Sequence, residues 1–270
     1  MKKLLLLLLL SLLLSGCAET PPPETTTPPT IAVTEPTLPA ETIPPSEAPS
    51  LPYGPGDHLL RYDSSEYGDY LEYYLHIPEN AQPGMPFIIF LHGDGEVGNL
   101  EGLSCYGLMA AAKEIYGENY PFIAITPCTR TISWVKDSIH GTLTELIEDV
   151  IGSCIADREK IIITGHSRGA IGTWNLISLY GDYFSAAVPI SCDCGDRIIN
   201  YASAAQVPLW AFVGSEGDLD QKYVRSMGYM CDQVTAAGGS AQFTILWGDY
   251  HNDTCKNAFT PELFQWMLEQ

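Results

Sequence analysis

One stretch constrains this chain more than any other: the β-branched run Lys160-Ile161-Ile162-Ile163-Thr164 leads straight into Gly165-His166-Ser167-Arg168-Gly169, and a helical pattern follows at once. A chain that passes from strand to helix within so few residues must bend sharply. Glycines two positions either side of the bend remove the Cβ atoms that would make strand and helix collide. Ser167 then stands at the carboxyl edge of a sheet, beside a helix N-terminus whose free N–H groups favour developing negative charge. This is the pattern of a nucleophile elbow, with the backbone N–H of Arg168 as one donor to an oxyanion.

The rest of the chain supplies a sheet for such an elbow. Strands are predicted at residues 71–77, 86–92, 122–126, 160–164, 186–190, 209–213 and 242–246. The second contains Phe87-Ile88-Ile89-Phe90-Leu91, an unbroken apolar run of the kind buried on both faces of a parallel sheet. Helical patterns lie between them. Leu143, Leu146, Ile147, Val150, Ile151, Cys154 and Ile155 recur at alternating steps of three and one, a single stripe on a 3.6-residue period. Near the end, Thr260 caps a helix with Pro261 in its first position and Leu263, Trp266 and Met267 on its inner face. The expected fold is α/β: a mostly parallel central sheet with helices on both faces. Only a short segment separates the strands ending near Ser191 and starting near Val207, so no large lid is expected and the site should be open.

The first residues have another purpose. Lys2 and Lys3, a leucine run and Leu14-Ser15-Gly16-Cys17 read as an export signal over residues 1–16, the apolar run being short for a membrane span. The Leu-Ser-Gly-Cys ending resembles a bacterial lipobox, which implies lipidation at Cys17 and an anchor on the outer face of the cell membrane. Residues 17–52 are rich in Pro, Thr and Glu and cannot bury a core. They form an extended tether reaching at most about 3 Å per residue. Residues 53–270 suffice for one catalytic domain. Loss of Lys2 and Lys3 would take the net charge from −20 to −22, which disfavours nucleic acid and direct contact with anionic membrane surfaces, and leaves a neutral or aromatic substrate as the better match.

Eight cysteines are present, and with Cys17 lipidated an odd number remains, so they cannot all pair internally. Cys128 and Cys154 read as small core residues. Cys192-Asp193-Cys194 lacks a second Cys or His pair at ligand spacing, so no metal site is assigned.

A serine hydroxyl needs a general base to take its proton and a carboxylate to fix that base's tautomer. His251, after the strand at 242–246, is the expected base. His140 is the rival among the other histidines but precedes the serine, and His166 should point elsewhere. The acid belongs to the loop after the strand at 209–213. Asp218 is the expected residue, Glu216 the next choice, and Gly217 and Asp220 share the same loop chemistry. The second oxyanion N–H is expected from Asp94 or Gly95, in the glycine-rich loop after Leu91. Trp134, Trp247 and Tyr250 are expected around the pocket.

The segments His92-Gly93-Asp94-Gly95-Glu96, Trp134, Asp157-Arg158, Gly165 to Gly169, Gly217-Asp218 and His251 followed by Pro261 to Trp266 together resemble those of α/β-hydrolases of the carbohydrate-esterase group. That group includes feruloyl esterases, acetyl xylan esterases and polyhydroxybutyrate-depolymerase-like proteins. The resemblance implies an α/β-hydrolase fold over residues 53–270 and a cofactor-independent serine esterase. Its substrates would be short-chain or aromatic esters, acetyl or feruloyl, carried on polysaccharides. A serine peptidase of the prolyl-oligopeptidase-like type and a binding lipoprotein without activity are the alternatives. Ala170 and Arg168 depart from the group's usual residues.

Overall fold

A computed structural model describes residues 53–131, 133–152, 156–195, 197 and 199–270. The strands are β1 Gly56–Asp63, β2 Tyr70–Ile77, β3 Met85–Leu91, β4 Ile123–Cys128, β5 Ala156–His166, β6 Ala186–Ile190, β7 Leu209–Gly214 and β8 Ala241–Leu246. The helices are α1 Gly107–Tyr116, α2 Asp137–Gly152, α3 Arg168–Tyr180, α4 Tyr201–Ala204, α5 Gly217–Ala236, α6 His251–Asn257 and α7 Pro261–Glu269. The eight strands form one sheet in the order β1-β2-β4-β3-β5-β6-β7-β8. The β1-β2 and β2-β4 pairs are antiparallel, and every pair from β4-β3 to β7-β8 is parallel.

The apolar run in β3 behaves as its composition requires. All its residues from Phe87 to Leu91 are buried, and the two-residue period of a strand divides them between two cores. Phe87, Ile89 and Leu91 join Leu143, Leu146 and Ile147 of α2, Trp174 and Ile177 of α3, and Met227 and Val234 of α5. Ile88 and Phe90 face the opposite layer, with Leu108 and Met109 of α1 and Leu263, Phe264 and Met267 of α7. Each such fully buried side chain contributes roughly 1.5–3 kcal/mol of hydrophobic stabilisation. Both faces of the sheet are therefore covered by helices, as the long apolar run demands.

Thr260 caps α7, its Oγ1 accepting from the N–H of Leu263 at 3.3 Å with Pro261 at the first helical position. Two elements differ from expectation. β1 has no apolar run; as an edge strand paired with β2 alone, it alternates half-buried and exposed residues along its whole length. The strand after α2 starts at Ala156 rather than Lys160, and Cys154, read from sequence as part of a helical stripe, lies outside the described residues. Between β6 and β7 the described residues hold only the four-residue α4. Among the described residues, no helix is long and apolar enough to cross a membrane.

Candidate active site

Parallel strands bring all their carboxyl ends to one edge, and the chemistry collects there. Ser167 follows β5 at φ 56° and ψ −114°, a left-handed conformation that few side chains adopt. The flanking glycines are obligatory. A Cβ on Gly165 would lie 2.5 Å from the backbone of Gly169, and one on Gly169 would lie 1.8 Å from the Leu91 carbonyl oxygen. The bend is thus wedged between the end of β3 and the first turn of α3. The Ser167 N–H donates to the Ile190 carbonyl at 2.9 Å, fixing the bend to β6.

His251 opens α6, reached from β8 by a short turn. Its Nε2 is 3.0 Å from Ser167 Oγ and its Nδ1 is 3.1 Å from Asp220 Oδ1. A carboxylate accepts only, so Nδ1 carries the proton and Nε2 is the lone-pair acceptor for the serine hydroxyl. That is the tautomer a general base needs.

The acid differs from the sequence expectation. Asp218 is exposed, and the carboxylate that reaches His251 belongs to the buried Asp220. The reason is helix phase. α5 begins at Gly217, so Asp218 and Asp220 are not loop residues but members of one first turn, separated by about 200° around the axis at 3.6 residues per turn. Only one of them can face His251. Glu216 is engaged elsewhere, its Oε1 accepting from Ser215 Oγ at 2.8 Å. The acid and base segments are tied through backbone: the Glu216 N–H donates to the Asp249 carbonyl at 3.0 Å. Gly214 makes room for that approach, since a Cβ there would lie 2.5 Å from the same oxygen.

The loop after β3 passes close to the serine, a Cβ on Gly93 falling 3.4 Å from Ser167 Cβ. His92 anchors it. The ring is buried, its Nδ1–H donates to the Gly93 carbonyl at 2.6 Å, its Nε2 accepts from the Thr129 N–H at 3.1 Å, and burial lowers its pKa. Both residues expected to offer an oxyanion N–H from this loop are exposed, and of the two Asp94 lines the cleft while Gly95 does not. The Asp94 carboxylate pairs with Arg168 Nε at 3.2 Å, so an ion pair bridges the two candidate donor residues.

The cleft in front of Ser167 encloses about 430 Å³. Ile171, Leu219 and Tyr223 give it an apolar side, with the Tyr223 ring edge-on to His251 at 5.7 Å. Arg168, Arg197, Lys222, Asp94 and Asp193 give it a charged rim, where Lys222 Nζ pairs with Asp193 at 2.7 Å. Cys192 lines it too, its thiol pushed well up by burial and then by its hydrogen bond with Cys194. A thiol held protonated in this way does not compete with Ser167 as nucleophile. None of the three expected aromatics lines the cleft. Trp134 is buried and donates its indole N–H to the His92 carbonyl at 2.9 Å, while Trp247 and Tyr250 are exposed beyond the cleft's lining. Tyr223 and Leu219, by contrast, stood out by no pattern in the sequence and are brought to the cleft by α5.

His140, the rival base, is buried in α2 with Nε2 unpartnered and its pKa lowered by burial; it makes no contact with Ser167. The described residues include one compact His–carboxylate group, Asp57, His76 and Glu118. Both ring nitrogens of His76 are already engaged, Nδ1 by Asp57 at 2.6 Å and Nε2 by the Glu118 carbonyl at 3.2 Å, which is a structural arrangement rather than an open ligand set. Cys17, the expected lipidation residue, lies outside the described residues.

This architecture is the α/β-hydrolase fold. It is similar to a thermostable esterase (TM-score 0.68, 22% identity), covering 79% of this chain and 63% of that one. The chain thus spans under two thirds of that esterase. It is also similar to a fluorophosphonate-binding serine hydrolase of Staphylococcus aureus (TM-score 0.61, 18% identity, 80% and 100% covered). A third similar structure is a feruloyl esterase module of Clostridium thermocellum (TM-score 0.59, 17% identity, 78% and 90% covered). No protein-family model matches the chain, and comparison with curated protein sequences gives no match.

Proposed function

We propose that the protein is a serine esterase that hydrolyses short-chain or aromatic carboxylic esters, of the acetyl or feruloyl type, carried on polysaccharides. The observation that carries this reading is the unbroken chain Asp220–His251–Ser167 at the mouth of the cleft. Ser167 Oγ attacks the ester carbonyl as its proton passes to His251 Nε2, while Asp220 stabilises the imidazolium. The Arg168 N–H, and that of Asp94 from the facing loop, receive the oxyanion. Collapse expels the alcohol, which takes the proton from His251. A water, deprotonated by the same imidazole, then attacks the acyl-serine, releasing the acid and restoring the hydroxyl.

The cleft supports the substrate class. Ile171, Leu219 and Tyr223 form an apolar side for a small acyl or aromatic group, and the charged rim suits a hydroxyl-rich alcohol better than a lipid tail. Similar structures include an acetyl xylan esterase of Aspergillus awamori as well as the feruloyl esterase module. Export with lipidation at Cys17 would hold the domain outside the cell on its Pro-, Thr- and Glu-rich tether, where such polymers are met.

The test is turnover of p-nitrophenyl acetate, methyl ferulate and a peptide amide by the intact protein and by Ser167→Ala. The expected result is hydrolysis of the two esters only, reduced about 10⁴-fold or more in the variant. Amide cleavage alone would assign a peptidase. No turnover by the intact protein would leave a binding protein.

A further inference from the structure

The residue just before the nucleophile is built into the site in a way the mechanism above does not use. His166 is the last residue of β5, and its ring is buried. Its Nε2 lies 2.9 Å from the backbone carbonyl oxygen of His251, and its Nδ1 lies 2.7 Å from the hydroxyl of Tyr106. The two imidazoles contact each other, their centroids 4.6 Å apart.

The roles of the neutral ring follow from the carbonyl it meets. A carbonyl only accepts, so Nε2 carries the proton and donates it; Nδ1 is then bare and accepts from the Tyr106 O–H. The His251 carbonyl thereby fixes the tautomer of His166, the Tyr106 hydroxyl supports it from Nδ1, and His166 holds the main chain of His251. We propose that His166 is a positioning residue that clamps the base to the nucleophile's own backbone, with Tyr106 locking the clamp. This deepens the esterase reading and rests on it.

The physical need for a clamp is visible in the elements. α6 has seven residues and is reached by a tight turn from β8, so His251 stands at the start of a short helix at the sheet's edge. Its ring is fixed to Asp220, but a ring can keep that bond while its backbone drifts. Displacing a reacting group by about 1 Å costs on the order of 10²-fold in rate. The His166 bond removes that drift by joining residue 166 directly to residue 251, one peptide away from Ser167 Oγ. Tyr106 is itself held at the start of α1, where Gly107 at φ 51° packs against the Phe90 ring.

The clamp must stay neutral, because His251 becomes a cation in each catalytic cycle. Burial, then the neighbouring His251, push the pKa of His166 down to about 3. The titratable groups facing the pair come from two segments, the turn after β3 and α6: Glu96 of the turn and the Cys255 thiol of α6 stand beside Tyr106, and His251 of α6 stands beside His166. Burial raises the pKa of Glu96, Tyr106 and Cys255 alike.

Two measurements test the clamp. The first is p-nitrophenyl acetate kinetics of His166→Ala, His166→Gln and Tyr106→Phe, with thermal melts to establish that each is folded. His166→Ala should lose kcat by about 10- to 100-fold with KM within about threefold. Glutamine, whose side-chain N–H reaches the same carbonyl, should restore kcat to within about fivefold of the intact protein, and Tyr106→Phe should fall between. Undiminished kcat in His166→Ala, or glutamine as slow as alanine, would overturn the proposal. The second is ¹⁵N NMR of histidine-labelled intact protein from pH 5 to 8, where His166 should show a protonated Nε2 and a bare Nδ1 throughout. A proton on Nδ1, or titration in that range, would overturn the clamp whatever the activity. If the intact protein hydrolysed no ester but kept this tautomer, the esterase reading alone would fall.

Discussion

His251 needs a hydrogen-bond acceptor at Nδ1, and two aspartates lie two positions apart on the helix facing it. Asp220 makes the bond at 3.1 Å while its other oxygen is buried with no partner, so most of this carboxylate's interaction is spent on one imidazole. Replacing it by asparagine offers an N–H where an acceptor is required and drives the proton to Nε2, the wrong tautomer for a base. Asp220→Asn is therefore expected to lower kcat by about 10⁴-fold, and Asp218→Asn to leave it within about twofold. Steady-state ester hydrolysis by both variants checks this, and the reverse ranking would place the acid at Asp218. Residues 218 and 220 are both aspartates, two positions apart just after the strand that ends at Gly214. Their difference is one of phase, which is why the chain alone placed the acid in the right segment and on the wrong side of it.

Among the elements, the β5-to-α3 bend has the least tolerance. Its serine was legible because the requirement is local: a bend this tight, flanked by glycines, needs nothing distant to be recognised. The structure adds the identity of what those glycines approach. Gly169 faces the end of β3, and a methyl group there would overlap the Leu91 carbonyl at 1.8 Å, against backbone that cannot rotate away. Gly169→Ala is expected to destabilise the fold by about 3 kcal/mol or more, read as loss of soluble protein or a large drop in Tm. A variant melting within a few degrees of the parent would show that α3 can shift. β1 was illegible for the opposite reason. An edge strand is specified by its neighbour's unpaired backbone groups, and Gly56–Asp63 carries no apolar run of its own.

Taken as a whole, the chain carries a net charge of −20 and keeps three imidazoles neutral inside the fold. Burial lowers the pKa of His92, His140 and His166, the last to about 3. In the unfolded chain a histidine titrates near about 6.5, so between that pH and about 3 the unfolded state binds more protons than the folded one. The contribution of neutral His166 is fully present above about pH 6.5 and is lost progressively as the pH falls through this window. Thermal melts at pH 7 and pH 4.5 should accordingly show a smaller acid-induced fall in Tm for His166→Gln than for the intact protein. Parallel falls would mean that His166 titrates alike in both states.

The sequence by itself determined what local sterics and periodicity dictate: the alternating α/β order, the buried central strands, the capped last helix, the elbow at Ser167, and the histidine before that helix. The tertiary structure alone decided which carboxylate faces His251, that Asp94 rather than Gly95 borders the cleft, and that the His166 ring meets the backbone carbonyl of His251. The division has one cause. Strand and helix patterns repeat within a few residues and are written in the chain, whereas the direction a side chain faces depends on the rotation of its element against neighbours that arrive from far along the sequence.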